Sequence, residues 1–379
     1  MATLANAMDA LAAKPAQKPT ISQASAPLPP PPRSPQQLGP TTAADSPVPI
    51  VDFGGFYREN DEEARRQVAH EIDAALRTVG FVYLRNHGVP GESVDEAFAW
   101  SKKFFALPLD TKNLAPHPPG GTHHRGYSSP GLEKVSQHTY AASEIADLRA
   151  AAPDVKESFE CGNETDAAQP NIWPPDAALP CFRTAMTSFF DQCSTLVHTV
   201  LRALALALSL DDESALSEAH AASAFQLRLL HYPPVAARAL RQQAAARIGA
   251  HSDFGSLTLL FQDAVGGLEV ESPPGRFRPA PPVDGAVLVN VGDLLERWSN
   301  GRWRSTVHRV GLPTQLREAR EGEDEDDMVA PRYSLPFFSA PDPDTVIEAL
   351  PGCWDEANPK KYPPVTAAEY VNMRMNAIY

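Results

Sequence analysis

Long apolar runs are missing from this chain of 379 residues. A helix that crosses a bilayer needs about 18 or more consecutive apolar residues. The longest candidate, residues 196–210, contains His198 and Arg202 and is expected to be a buried helix with no membrane role. Cysteine is scarce: Cys161, Cys181, Cys193 and Cys353 show no C-x-x-C spacing, which argues against a disulfide scaffold and suits a reducing, cytoplasmic location. Positive charge is in deficit, with 33 Lys and Arg against 47 Asp and Glu and a formal net charge of −14. Nucleic acid is therefore not an expected partner. The first residues have neither the basic nor the apolar region of a secretory signal; Asp9 and the lack of Arg there also disfavour a mitochondrial presequence.

Composition divides what is present. Residues 1–46 are rich in Ala, Pro, Ser and Thr, with Pro29 to Pro32 consecutive, and such a stretch cannot form a core; a disordered tail is expected. Residues 47–180 begin with a strand-like Pro47-Val48-Pro49-Ile50-Val51-Asp52-Phe53. Ala64, Val68, Ile72, Ala75, Leu76 and Val79 then recur at helical spacing until Gly80. A short strand at 81–84, a helix at 92–105 and a loop-rich 110–180 follow. A helix pair is expected over 181–224, broken near Leu210-Asp211-Asp212. From there the pattern changes to short apolar or alternating runs at 225–232, 247–251, 256–261, 267–272, 285–291, 304–310 and 331–338, separated by Pro- and Gly-rich turns. That spacing predicts an antiparallel sandwich or barrel over 225–340. Residues 341–379 form a C-terminal extension with one helix after Pro364.

Within the strand-rich part, His251-Ser252-Asp253 is an H-x-D triplet, and His308 follows in Val307-His308-Arg309. On a strand, residues i and i+2 share a side, so His251 and Asp253 can reach one ion while Ser252 points away. Two imidazoles and a carboxylate on one face of a metal are the ligand set of non-haem Fe(II) oxygenases. Further on, Arg332-Tyr333-Ser334 is another i, i+2 pair. Its guanidinium can grip a carboxylate through two hydrogen bonds, with the hydroxyl as a third donor. The distal carboxylate of 2-oxoglutarate is the obvious ligand, and Tyr232, at the end of an apolar run, could donate to it as well.

With these motifs on the page, residues 48–338 resemble the 2-oxoglutarate- and Fe(II)-dependent dioxygenases of the isopenicillin N synthase-like group. Gly80-Phe81 through Asn86-His87-Gly88-Val89 is similar to that group's G-F-x-x-x-x-N-H-G-(I/V) signature, and Ser101 to Pro108 to the helix that follows. The resemblance implies a mainly β fold with helical additions: a double-stranded β-helix, or jelly roll, flanked by helices. It implies His251, Asp253 and His308 as iron ligands and as the catalytic centre. It implies Arg332, Ser334 and, less uniformly across members, Tyr232 as the 2-oxoglutarate site. The cofactors implied are Fe(II), 2-oxoglutarate and O₂, with ascorbate as an activator. The reaction implied is hydroxylation, desaturation or ring closure of a small molecule of secondary metabolism, with release of succinate and CO₂. One departure from the group is an acidic stretch at 318–327, expected as a solvated loop between two strands.

Other readings stay open at this point. Isopenicillin N synthase and the ethylene-forming oxidases keep an R-x-S-like pair without consuming 2-oxoglutarate, and a jelly roll could bind without catalysis. His117, His123, His124 and His138 fit no metal-binding spacing. Arg125 and Tyr127, in the loop His123 to Ser128, are candidate substrate residues. Phe254 and Phe338, with Leu259 and Phe337, are candidates for an apolar wall. The segment Asp154 to Glu160 offers no chemistry from sequence alone.

Overall fold

The computed structural model describes residues 46–119, 123–131, 154–241, 247–313 and 328–375. Most of the expected tail and the whole acidic 318–327 stretch lie outside them. The strands are β1 (Ile50–Asp52), β2 (Phe81–Arg85), β3 (Gly126–Ser128), β4 (Glu157–Gly162), β5 (Gln226–Tyr232), β6 (Val235–Ala236), β7 (Ile248–His251), β8 (Leu257–Gln262), β9 (Leu268–Glu271), β10 (Phe277–Pro279), β11 (Ala286–Val291), β12 (His308–Val310), β13 (Met328–Val329) and β14 (Arg332–Phe338). The main helices are α1 (Glu62–Thr78), α2 (Gly91–Phe105), α3 (Phe182–Ala207), α4 (Asp293–Trp298) and α5 (Ala367–Met375).

An eight-stranded sheet runs in the order β1-β2-β11-β8-β14-β5-β4-β3, and a four-stranded sheet in the order β10-β9-β12-β7. All neighbours are antiparallel except β1 and β2. Period-two alternation sends each strand's side chains to two different places. From β2, Phe81 and Tyr83 join Leu230, Ile248, Val270, Leu288 and Val310 in a cluster drawn from both sheets. Val82 and Leu84 join the larger cluster with α1, α2 and α3. The result is a jelly roll with one apolar layer between its sheets and another between the large sheet and the helices. Phe104 of α2 ties the second layer together, 4.7 Å from Phe159 of β4 and 5.3 Å from Phe182 of α3 between ring centroids.

Helix α1 starts where Asp61 accepts a hydrogen bond from the Ala64 amide, with Glu62 and Glu63 in the first turn. Gly80, at φ +79°, turns the chain into β2; a Cβ there would meet the Arg304 carbonyl oxygen at 2.2 Å. That close approach fixes the segment leading to His308. Its Thr306 hydroxyl donates to the Val79 carbonyl at 2.7 Å, and Trp303 Nε1 donates to buried Asp73 of α1 at 2.9 Å. These bonds explain why β12 begins only at His308, although the apolar pattern predicts a strand from 304.

The helix pair expected over 181–224 is also different. One 26-residue helix, α3, is followed by a four-residue turn of helix, Ala215–Glu218. Ser209 takes φ +55°, and the Asp212 carboxylate accepts from the Ser214 amide at 2.8 Å, so a polar side chain uses a backbone group that a second long helix would need. Strand β10 was not legible in the sequence; Pro273 to Gly275 form the turn joining it to β9. His198 of α3 is no obstacle to burial, since its ring nitrogens meet the hydroxyls of Ser217 and Ser223 at 2.8 and 2.9 Å. Among the described residues, no helix is long and apolar enough to cross a membrane.

Candidate active site

His251 ends β7, Asp253 lies two residues beyond, and His308 begins β12 directly opposite His251 in the antiparallel register. Asp253 Oδ1 lies 3.9 Å from His251 Nε2 and 3.8 Å from His308 Nε2. One ligand atom from each of the three residues falls within 4.8 Å of the others. The remaining polar atoms are occupied. The Nδ1 of His251 faces the Gly249 carbonyl at 2.8 Å, and that of His308 faces the Thr306 carbonyl at 3.2 Å. Carbonyl partners assign the proton to Nδ1 and leave each Nε2 lone pair directed at the centre. Asp253 Oδ2 accepts from Thr258 Oγ1 at 2.6 Å and from Asn290 Nδ2 at 2.7 Å, leaving Oδ1 for a cation.

The electrostatics point the same way. Burial and the neighbouring His308 hold the His251 pKa well below its usual value, so its imidazole is neutral at physiological pH. Burial raises the Asp253 pKa, but the two histidines and its two hydrogen bonds outweigh burial and keep the carboxyl below its usual range. Two imidazoles and one ionised carboxylate suit Fe(II) by donor type and number.

Arg332 and Ser334 lie on β14, with Arg332 directly opposite Tyr232 of β5. All three are buried and line the same cavity as His251, Asp253 and His308. Arg332 Nη1 donates to Ser334 Oγ at 3.0 Å and Nη2 to Gln262 Oε1 at 3.1 Å, and the guanidinium carbon stands 5.0 Å from the Tyr232 ring centroid. At the other end of the cavity the wall includes Arg125, Phe254, Phe338, Gln226 and Arg228. Phe337 and Leu259 instead face the helices, because they fall on the other phase of their strands.

Tyr127 departs from its expected place. It is absent from the cavity wall; its hydroxyl donates to Glu157 at 2.6 Å and its ring packs on Phe104. Gly126, at φ +83°, turns the backbone between Arg125 and Tyr127, so the two side chains part.

Sequence reasoning missed three contributors. The first is β4, within the segment that had offered no chemistry. Glu160 is fully buried and accepts from Arg228 Nη2 and Gln226 Nε2, each at 2.6 Å, so it fixes two wall residues. Three positions away and on the opposite face, Glu157 meets Lys112 at 2.8 Å and His231 at 2.7 Å. His117 and His124 converge with Glu160 to within 4.8 Å, an arrangement that sequence spacing did not suggest. Since both Glu160 oxygens already hold Arg228 and Gln226, the cluster is an anchor for the wall. His123 does not join it, and His138 lies outside the described residues.

The second is Asn290, whose signal was present as a lone amide in the apolar run Ala286 to Val291. The third is α5, which supplies Val371, Asn372 and Met375 to the cavity wall. Its Arg374 pairs with Asp293, donates to the Ser252 carbonyl at 3.3 Å and covers the Phe254 ring at 4.4 Å. Nothing in the helical pattern of 367–375 marks it as part of a site.

Comparison with known proteins agrees with this geometry. Residues 48–176 match the family described as non-haem dioxygenase in morphine synthesis N-terminal, and residues 224–341 match the 2OG-Fe(II) oxygenase superfamily. The 2-oxoglutarate-dependent dioxygenase frbA of Dothideomycetidae sp. (strain 11243) is 41% identical over 341 residues, covering 88% of this chain and 97% of the relative. The proline hydroxylase buaE of Petromyces alliaceus is 39% identical over 336 residues, covering 88% and 99%. A Neurospora crassa protein solved with alpha-KG and thymine superposes with a TM-score of 0.77 at 39% identity, covering 89% of this chain and 98% of its own. The chain belongs to the 2OG-Fe(II) oxygenase superfamily and is a 2-oxoglutarate-dependent dioxygenase that works with Fe(II), 2-oxoglutarate and O₂.

Proposed function

We propose that His251, Asp253 and His308 hold the iron, that Arg332, Ser334 and Tyr232 hold the distal carboxylate of 2-oxoglutarate, and that the chain oxidises a C–H bond of a small molecule placed in the same cavity. The observation that carries this reading is the convergence of three ligand atoms within 4.8 Å in a cavity whose wall also bears a buried Arg-Ser pair. With Fe(II), 2-oxoglutarate and O₂ bound, the site would decarboxylate the 2-oxo acid to succinate and use the second oxygen atom on the substrate. The protein's own part is to fix ligand geometry, exclude water and place the substrate.

The wall favours a small, polar and planar substrate. Arg228 and Gln226, fixed by Glu160, offer donors to oxygen acceptors, and Phe338 offers a flat apolar face 5.8 Å from the Arg228 guanidinium carbon. A relative named for proline hydroxylation and a structural neighbour solved with thymine both point to nitrogen heterocycles of this size. A role in secondary metabolism, as a cytoplasmic monomer, fits this reading, and the net charge of −14 disfavours nucleic acid as a partner. The test is succinate formation from 2-oxoglutarate by the ferrous protein, screened against cyclic amino acids and pyrimidines. Succinate release that no member of either class stimulates would count against the substrate assignment. No succinate under any condition would count against the reaction.

A further inference from the structure

Arg247 precedes β7 and is fully buried, an unusual place for an arginine. Its Nη2 donates to the Ala330 carbonyl at 2.5 Å, while Nε and Nη1 have no hydrogen-bond partner among the described residues. The guanidinium carbon lies 5.9 Å from the Tyr232 ring centroid, and that of Arg332 lies 5.0 Å from the same ring. Two guanidinium groups thus flank one phenol. Among the described residues, the charged groups that act on Arg247 are Arg332 and Asp263. Burial raises the pKa of Asp263, partly opposed by Arg332 and Arg247, and its carboxylate accepts from the amides of Tyr333 and Val265. Among the described residues, two cations against one carboxylate leave one buried positive charge in excess, a costly arrangement unless an anion joins it. The end of the cavity lined by Arg332, Ser334 and Tyr232 is where such an anion fits.

We propose that Arg247 is a positioning residue for the co-substrate, a second guanidinium whose charge is neutralised by the distal carboxylate of 2-oxoglutarate. This rests on the assignment of Arg332 made above. Arg247 is not in the cavity wall, where Tyr232 and Ile248 stand instead, so it acts through its field and through its position against the phenol. Burial and Arg332 lower its pKa to about 10, which still leaves it charged at neutral pH. The predicted signature is selectivity: Arg247 should matter for a 2-oxo acid that carries a second carboxylate and not for one that lacks it.

The test is calorimetric titration of the anaerobic Fe(II) protein with 2-oxoglutarate and with 2-oxopentanoate, which keeps the chelating end without the distal carboxylate. Arg247→Gln should bind 2-oxoglutarate about tenfold more weakly and 2-oxopentanoate as the wild type does. Arg247→Lys should keep the wild-type preference for the dicarboxylate to within about threefold. Unchanged 2-oxoglutarate binding in Arg247→Gln, or equal weakening for both acids, overturns the proposal in favour of a purely structural tie to Ala330. Should Arg247→Gln not fold, loss of the preference in Arg247→Lys overturns it instead. Arg332→Gln separates the two levels: if it too binds 2-oxoglutarate normally, the clamp itself is misplaced. If it alone weakens binding, the clamp stands and only the role of Arg247 falls.

Discussion

His251 and His308, far apart in the chain, are register partners on antiparallel strands with ring centroids 4.3 Å apart. Each ring is aimed by its own backbone carbonyl acceptor, so the pair presents two Nε2 atoms toward one point. Preformed ligands of this kind lower the ordering cost of binding, and the loss of one should be felt chiefly in the metal.

His308→Ala should therefore fold normally and lose most bound iron and all succinate formation. Metal analysis of the purified variant alongside its circular dichroism checks both halves. Full iron content in the variant would show that His308 is not a ligand.

Asn290→Leu removes one of the two donors on Asp253 Oδ2 while keeping the volume of the side chain. A carboxylate ligand freed to rotate should bind Fe(II) about 10- to 100-fold more weakly. Competitive metal titration against a chelator of known affinity measures this, with Thr258→Val as the matching variant on the other hydrogen bond.

Arg332→Lys should raise the 2-oxoglutarate concentration needed for turnover, because a point ammonium cannot reproduce a two-pronged contact. Arg332→Ala should be worse, by about 2–4 kcal/mol, since it leaves a desolvated carboxylate unpaired. Succinate formation against 2-oxoglutarate concentration gives both numbers.

Arg374→Leu breaks a buried ion pair with Asp293 and leaves that carboxylate with Tyr370 at 2.9 Å and Ser305 at 2.6 Å. The expected loss is about 3–5 kcal/mol of stability, read from denaturant unfolding. Because α5 also supplies the wall residues Asn372 and Met375, the folded fraction should release succinate with less oxidised product per turnover.

His220 gives the pH dependence. It is buried, its Nδ1 meets the Leu216 carbonyl and its Nε2 meets the Ser256 hydroxyl, each at 2.7 Å; burial lowers its pKa from 6.5 to about 4. The unfolded chain takes up the proton first as pH falls, so this contribution is present above pH 6.5 and lost progressively between 6.5 and 4. The loss should be about 2 kcal/mol from pH 7 to pH 5. Denaturant midpoints across this range should fall less steeply for His220→Gln than for the wild type.

The residues of the chain themselves determined the strand-rich second half, the amphipathic first helices and the order H-x-D, His, R-x-S. These are local or periodic properties: alternation chooses the buried face of a strand, and i, i+2 spacing puts Arg332 and Ser334 on one side of β14, whereas Asp253 falls just past the end of β7. Only the tertiary structure decided which distant groups complete each charge. Glu160 reaches Arg228 because β4 pairs with β5, Asn290 reaches Asp253 because β11 pairs with β8, and Arg374 reaches Asp293 because α5 folds back over the cavity mouth. Strand pairing and helix docking are set by the summed burial of many side chains, and no short window of sequence contains that sum. Tyr127 makes the same point in reverse, since one left-handed glycine, Gly126, turns it from the cavity into the core. A buried polar atom finds its partner only once the whole core has closed around it, and so the candidate ligand residues could be read from the sequence while the groups that hold them could not.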